Sequence, residues 1–435
     1  MRRLWTALVS LAVAGVAAFV PSPATAAEPD PVIGGAVFNN PAGAVTAQYA
    51  IYQQLARIID RVPAGETIRM SWLDFSNPVA AGEADTAERP NLVERLKAAH
   101  QRGVNVQIIL NYGSYDDDAG KRFYPGLALA GELGTDVAAS SFLMFCRDKT
   151  GCIAKQPSYG VLAYNHNKFL LASRVVLNGG ASVSNVTFQS SGNLTVWDAE
   201  TAFNNSITWS EASSYANYVT YFNDQKRYGP LATGDEDYYH VGSTNDMYKT
   251  HFFPRAATDG NPGQTSTDTM ISVLNSVTCS YKGASDGLTH QTDVRVVIWG
   301  FSRTELAKKL ASLAKAGCWV DVVYAGGPSD DPYKYTSENV VNALKAGGAN
   351  VGLHSCAVSF NGRALKPHSK YTLIDGQYDD DQIPRVFTGS ANYTFSSLRG
   401  ADETIVRVRS ADIHRQYLTN FYKVRDTCSG KIPPS

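Results

Sequence analysis

Two short cassettes of the same residue types recur in the chain in the same order. The first is His166-Asn167-Lys168, followed by Ser191-Gly192-Asn193; the second is His368-Ser369-Lys370, followed by Ser390-Ala391-Asn392. Breaking a phosphodiester needs a nucleophile, a proton donor for the departing oxygen, and donors for the equatorial oxygens. A histidine can fill either of the first two roles. Lys168, Lys370, Asn193 and Asn392, with the hydroxyls of Ser191 and Ser390, can fill the third. No metal and no organic cofactor is needed for such chemistry. One His-x-Lys arises readily by chance, but two, each followed by Ser-x-Asn at nearly the same distance, point to a duplicated unit with one function.

These side chains need elements that aim them at one place. The segments YNHNKFLLAS and KPHSKYTLIDG around the two histidines have strand character. On a strand, residues two apart share a face, so each His and Lys project together. Each Ser-x-Asn follows a second strand, in a turn of small residues. The surroundings are doubled as well. Residues 66–77 read as a strand and 90–102 as a helix, with Pro90 at its start, Leu92, Leu96 and Ala99 on one face and Gly103 as its stop; Val104 to Leu110 is the next strand. Strand 293–302, helix 304–316, Gly317 and strand Trp319 to Tyr324 repeat that order. Helical stretches near 47–62 and 266–278 open the two halves. The expected fold is α/β: two similar lobes, each a mixed β-sheet flanked by helices, packed as a pseudo-two-fold dimer with the active site at the seam. The lobes are expected at 27–258 and 259–435, joined by a Gly-, Pro-, Ser- and Thr-rich connector at 256–269.

Arg2 and Arg3 precede an apolar run from Leu4 to Val20, then Pro21 and Ala24-Thr25-Ala26. This is the pattern of a secretory signal peptide, residues 1–26, cleaved near Ala26. An exported chain with six cysteines is expected to carry disulfides; Cys146 and Cys152 pair by proximity, and Cys279, Cys318, Cys356 and Cys428 are left unassigned. Without Arg2 and Arg3, the 39 basic residues become 37 against 40 acidic ones, a net charge of −3. That balance opposes a broad electrostatic grip on nucleic acid. The acidic runs Asp116 to Asp118 and Asp379 to Asp381 lack the alternation of a calcium loop and read as solvated loops. The aromatic stretch Tyr238, Tyr239, Tyr248, Phe252, Phe253 reads as core, and His251 and His354 as structural.

The doubled pattern resembles that of the phospholipase D superfamily, whose mark is H-x-K-x4-D with a downstream G-S-x-N, present twice in its secreted bacterial enzymes. The second copy matches in full at His368, Lys370, Asp375, Gly389, Ser390 and Asn392. The resemblance covers essentially the whole exported chain. It implies a two-step displacement in which one histidine attacks phosphorus to give a phosphohistidine. The other protonates the leaving alcohol, then activates water or an acceptor alcohol. It further implies that Lys168, Lys370, Asn193 and Asn392 hold the phosphate oxygens. The expected substrate is a glycerophospholipid at a membrane or micelle surface, with no stable nucleic-acid partner and a monomeric enzyme. A secreted nuclease and a non-catalytic phosphate- or lipid-binding relative are the competing readings.

The first copy departs from this pattern. Ser173 stands at the aspartate position and Ser190 at the glycine of G-S-x-N. Eleven residues after the asparagines, the second copy has Glu403 and the first has Asn204. The resemblance places near Glu403 a carboxylate that orients a catalytic histidine. Glu403 is therefore expected to raise the basicity of His368, the acid/base, while Asn204 orients His166, the nucleophile. The tyrosyl-DNA phosphodiesterase branch of the superfamily lacks the aspartates after H-x-K and shows a similar amide/acid asymmetry, so loss of the first aspartate is compatible with activity.

Overall fold

The computed structural model of the chain describes residues 28–76, 85–112, 123–155, 160–242, 247–326 and 335–431. The expected signal peptide and the run Asp116 to Asp118 lie outside the described residues.

The duplicated pattern folds into two sheets with one strand order. The first runs Gly35–Phe38, Asn205–Ser210, Ser182–Ser190, Lys168–Val176, Thr67–Trp72, Asn105–Leu110, Phe142–Phe145. The second runs Tyr248–Phe252, Thr404–Arg409, Arg385–Gly389, Lys370–Asp375, Asp293–Ile298, Trp319–Tyr324, Val351–Ser355, with the two-residue strand His240–Val241 added outside Tyr248–Phe252. In each, the strand that starts at the cassette lysine is antiparallel to both neighbours; the pairings beyond are parallel on one side and antiparallel on the other. The sheets are therefore mixed, as expected.

The helices form where periodicity and caps agree. Leu92–Gln101 is capped by Asn91, which accepts from Glu94 N, and the chain leaves it through Gly103 at φ 90°. Thr304–Lys315 buries Leu306, Leu310 and Leu313 and ends before Gly317 at φ 98°. These helices pack with Ala50–Asp60 and Thr269–Asn275 to form a separate apolar core in each half. A third core draws on both sheets and on the long helices Ala212–Tyr228 and Ala411–Cys428. The aromatic stretch from Tyr238 to Phe253 contributes to these cores, in keeping with its structural reading.

The two halves touch through contacts that come in related pairs. Ala401 bridges Tyr164, and Ala202 bridges Lys366. Asn205 Nδ2 donates to Thr388 Oγ1 at 2.8 Å, and Thr404 Oγ1 donates to Gln189 Oε1 at 2.8 Å.

Two strands that lie before the expected boundary at 258 join the second sheet. Tyr248–Phe252 pairs with Thr404–Arg409, as Gly35–Phe38 pairs with Asn205–Ser210, and His240–Val241 pairs with Tyr248–Phe252 in turn. The Gly- and Pro-rich segment follows these strands. It is tied down by the buried Arg399, whose guanidinium donates to the carbonyls of Arg255, Ala256, Pro262, Gln264 and Thr267.

Cys146 and Cys152 form the expected disulfide; the four unassigned cysteines pair as Cys279–Cys318 and Cys356–Cys428. The last ties the end of Val351–Ser355 to the final helix across 72 residues of sequence. Replacing Cys356 and Cys428 with serine should cost about 2–4 kcal/mol in urea unfolding, because that loop is then free in the unfolded chain. An unchanged urea midpoint and slope would contradict it.

Candidate active site

The cassette lysines are the first residues of their strands, Lys168–Val176 and Lys370–Asp375, and the histidines stand just ahead of them. Each lysine folds back so that Nζ donates to the carbonyl of its own histidine, at 2.7 Å in both copies. Lys370 Nζ also donates to Ser191 O at 3.1 Å, from the other half of the chain. Both histidines and both lysines are buried at the seam.

The partners of the histidines come from across that seam. His166 Nδ1 lies 2.8 Å from Glu403 Oε1. His368 Nδ1 lies 3.0 Å from Asn204 Oδ1 and 3.1 Å from Asp198 Oδ1. The expectation that Glu403 serves His368 and Asn204 serves His166 is thus reversed. The cause is the paired bridging: the backbone N–H of His166 donates to Asp402 O, which sets Glu403 beside His166. Likewise Phe203 N donates to Lys366 O, which sets Asn204 beside His368.

Asp198 is the residue that sequence reasoning missed. It lies in the short helix Val196–Glu200, capped by Thr195, and Asn204 Nδ2 donates to it at 3.2 Å. Its counterpart six residues before Glu403 is Ser397, so a comparison of the two copies does not signal an acid there. Each histidine therefore has a buried carboxylate, and the contrast of amide against acid disappears.

Other expected roles also shift. Ser191 Oγ donates to Asn204 Oδ1 at 2.9 Å and accepts from Asn205 N at 3.0 Å. Ser390 Oγ accepts from Thr404 N at 3.0 Å. These fully buried hydroxyls fasten the turns to the next strand and are not left to bind phosphate. Asp375 ends its strand, five residues beyond Lys370, and pairs with Asp293, so it does not support His368 directly. At the equivalent strand position, Ser173 Oγ donates to Glu66 Oε2 at 2.6 Å. Asn392 lines the cavity described below and its Oδ1 accepts from Gly300 N at 3.1 Å, which leaves its amide N–H groups as donors. Asn193 is half-buried; its Oδ1 has no hydrogen-bond partner, and the residue is not part of that cavity wall.

A cavity of about 570 Å³ opens onto His166. Leu73, Tyr164, Trp299 and Tyr335 form much of its wall, with Asn111 and Asn392 as polar points. His368 lies behind this wall, with Trp197 and Trp299 each meeting its ring edge-on at 5.3 Å.

Burial sets the charges. It pulls His166 down to about 4 and His368 down to about 3, although Glu403 and Asp198 pull the other way. Burial takes Lys168 down to about 8, and burial with the nearby Lys168 charge takes Lys370 well below its ordinary value. Burial pushes Asp198 up, but His368, Thr195 and Lys370 outweigh it and hold its carboxyl below the usual range. Burial thus disfavours the charged forms of both imidazoles and of the lysine pair, and a phosphate anion beside them favours those charged forms again.

Residues 288–425, which contain the second cassette, match the family described as "Cardiolipin synthase, PLD-like domain". Phosphatidylserine synthase from Haemophilus influenzae Rd KW20 is similar in structure over 92% of this chain and 87% of its own, at 10% identity and a TM-score of 0.53. Polyphosphate kinase from Porphyromonas gingivalis is similar over 93% of this chain, at 12% identity and a TM-score of 0.51. The chain spans only 56% of that kinase's length. No curated protein sequence matches the chain.

Proposed function

We propose that the chain is a phospholipase D-type enzyme, an exported phosphodiesterase that hydrolyses glycerophospholipids to phosphatidate and a headgroup alcohol; the match of residues 288–425 to a PLD-like domain and the doubled cassettes support this reading. Transfer of the phosphatidyl group to another alcohol is the second outcome of the same chemistry. One observation carries the reading: two buried histidines, each with a carboxylate from the opposite half, share a seam with two buried lysines. His166 is the nucleophile in this reading. Glu403 at Nδ1 leaves Nε2 as the free base, and His166 is the histidine that lines the cavity. Attack forms the Nε2–P bond and breaks the P–O bond to the headgroup, whose oxygen takes a proton from the imidazolium form of His368, which Asp198 and the bound phosphate anion favour; His368 is left neutral. His368 then removes a proton from water, whose oxygen bonds phosphorus as the P–N bond breaks. Asp198 and Asn204 hold His368 for both transfers, and Lys168, Lys370 and Asn392 face the phosphate oxygens.

The apolar and aromatic cavity wall and the near-zero net charge support lipid over nucleic acid. Export rests on the N-terminal pattern and agrees with three disulfides; among the described residues no helix is long and apolar enough to cross a membrane. The deciding assay offers the pure protein phosphatidylcholine, phosphatidylethanolamine and phosphatidylglycerol vesicles alongside single-stranded DNA. Headgroup release is the expected result. DNA cleavage without headgroup release overturns the lipid assignment, since Trp299 and Tyr335 could also stack on bases.

The lysine charges predict a proton effect. A bound phosphate raises the depressed Lys168 and Lys370, so binding takes up protons at pH 7.5 rather than releasing them. Calorimetry of inorganic phosphate in buffers of different ionisation enthalpy should show this uptake. Lys370→Met should reduce it, and an enthalpy independent of buffer would contradict the charge assignment.

A further inference from the structure

The segment Ala401 to Glu403 is gripped by more than its own sheet. Asp402 is fully buried, and its carboxylate accepts from three consecutive backbone N–H groups of the other half: Cys152 at 2.7 Å, Ile153 at 3.0 Å and Ala154 at 2.9 Å. The Cys146–Cys152 disulfide closes the loop that presents them. Lys155 Nζ braces the same loop, donating to Gly151 O and Gly229 O at 3.0 Å each. The fit is close: a Cβ on Gly151 would stand 2.9 Å from Asp402 Oδ1. Burial pushes the Asp402 carboxyl up to about 6, and the three N–H groups and Lys155 oppose that rise.

What Asp402 anchors is the His166 half of the site. Its own carbonyl accepts from His166 N at 3.0 Å, and the next residue is Glu403, 2.8 Å from His166 Nδ1. The corresponding position on the His368 side is Phe203, a buried apolar residue that cannot make such an anchor. The device therefore serves one histidine only.

We propose that Asp402 and the disulfide-closed loop 146–154 are a positioning anchor that fixes Glu403 against His166 from across the seam, so that full activity requires the Cys146–Cys152 bond. The proposal rests on the phosphodiesterase reading above, with both groups acting through the Glu403–His166 pair rather than touching substrate. It makes the oxidised state of one small loop a condition for the nucleophile's geometry.

The test compares wild type with Asp402→Asn, with Cys146→Ser/Cys152→Ser, and with the three substitutions combined. Two readouts are taken: kcat and KM for bis(p-nitrophenyl) phosphate, and the NMR signals of the histidine rings in labelled protein. Misplacing a reacting group by about 1 Å costs roughly 100-fold, so kcat should fall roughly 10- to 100-fold in Asp402→Asn and in the cysteine pair. KM should stay within about 2-fold, because phosphate binding by the lysines is untouched. His166 signals should move while those of His368 stay, and the combined variant should be no slower than Asp402→Asn alone. A generally structural role would lower thermal stability without that selective change. Folded Asp402→Asn with wild-type kcat and unmoved His166 signals overturns the anchor; if it does not fold, the cysteine pair decides by the same two readouts. A wild type that hydrolyses no phosphodiester sinks the functional reading instead, and the His166 signals alone then decide the anchor.

Discussion

His166→Ala should abolish phosphodiester turnover, lowering kcat by roughly 10⁴- to 10⁶-fold, the range seen when a nucleophile acting within a catalytic unit is removed. Lys168, Lys370 and Asn392 remain, so phosphate should still bind. His368→Ala should behave differently. With a good leaving group such as p-nitrophenolate the first step needs little acid, but release of the intermediate still needs a base. A labelled phosphoryl group should therefore accumulate on His166 in that variant and be recovered there after quenching. The assignment of His166 as nucleophile rests on its opening to the cavity, while Trp197 and Trp299 cover His368. Recovery of label on His368 from the wild-type protein would reverse the two roles.

The second large effect follows from the crossed partners. Glu403→Gln and Asp198→Asn each remove a buried carboxylate from a histidine and keep the shape. Each should cost roughly 10²- to 10⁴-fold in kcat, by analogy with amide substitution of the acid that orients a catalytic histidine. The two losses should differ in kind. Glu403→Gln impairs the attacking His166, so it slows substrates whatever their leaving group. Asp198→Asn impairs the proton transfers of His368, so it slows poor leaving groups in the first step far more than good ones. Partners confined to one half predict the opposite assignment. A leaving-group series measured by single turnover in both variants separates the two arrangements.

Much of the fold was legible because its signals are local. The helix Thr304–Lys315 and the strand Trp319–Tyr324 follow from apolar periodicity and Gly317 over a dozen residues. The repeated order of elements then carried the doubled architecture. Short-range spacing also misled. The aspartate position after H-x-K looked like part of the site, yet a strand advances about 3.3 Å per residue, which carries Asp375 and Ser173 far from the histidines. Gly389 has a steric reason instead: a Cβ there would stand 2.1 Å from Thr404 O. At the matching place in the first copy, Ser190 uses its hydroxyl to accept from Gly192 N and donate to Asn205 O.

The identity of the reacting groups, their duplication and the class of chemistry are written in the order of residues along the chain. Which carboxylate meets which histidine is not. Glu403 and His166 are joined by bridges between Ala401–Asp402 and Tyr164–Asn165, and His368 meets Asp198 through the related bridge of Ala202 with Lys366. Those contacts exist only because two halves bury a shared core and turn toward each other across the seam. Burial over that distance depends on residues hundreds of positions apart, and no local pattern encodes it. Tertiary packing alone therefore decided the crossed pairing, the depressed charges of the two lysines and the anchor on Asp402.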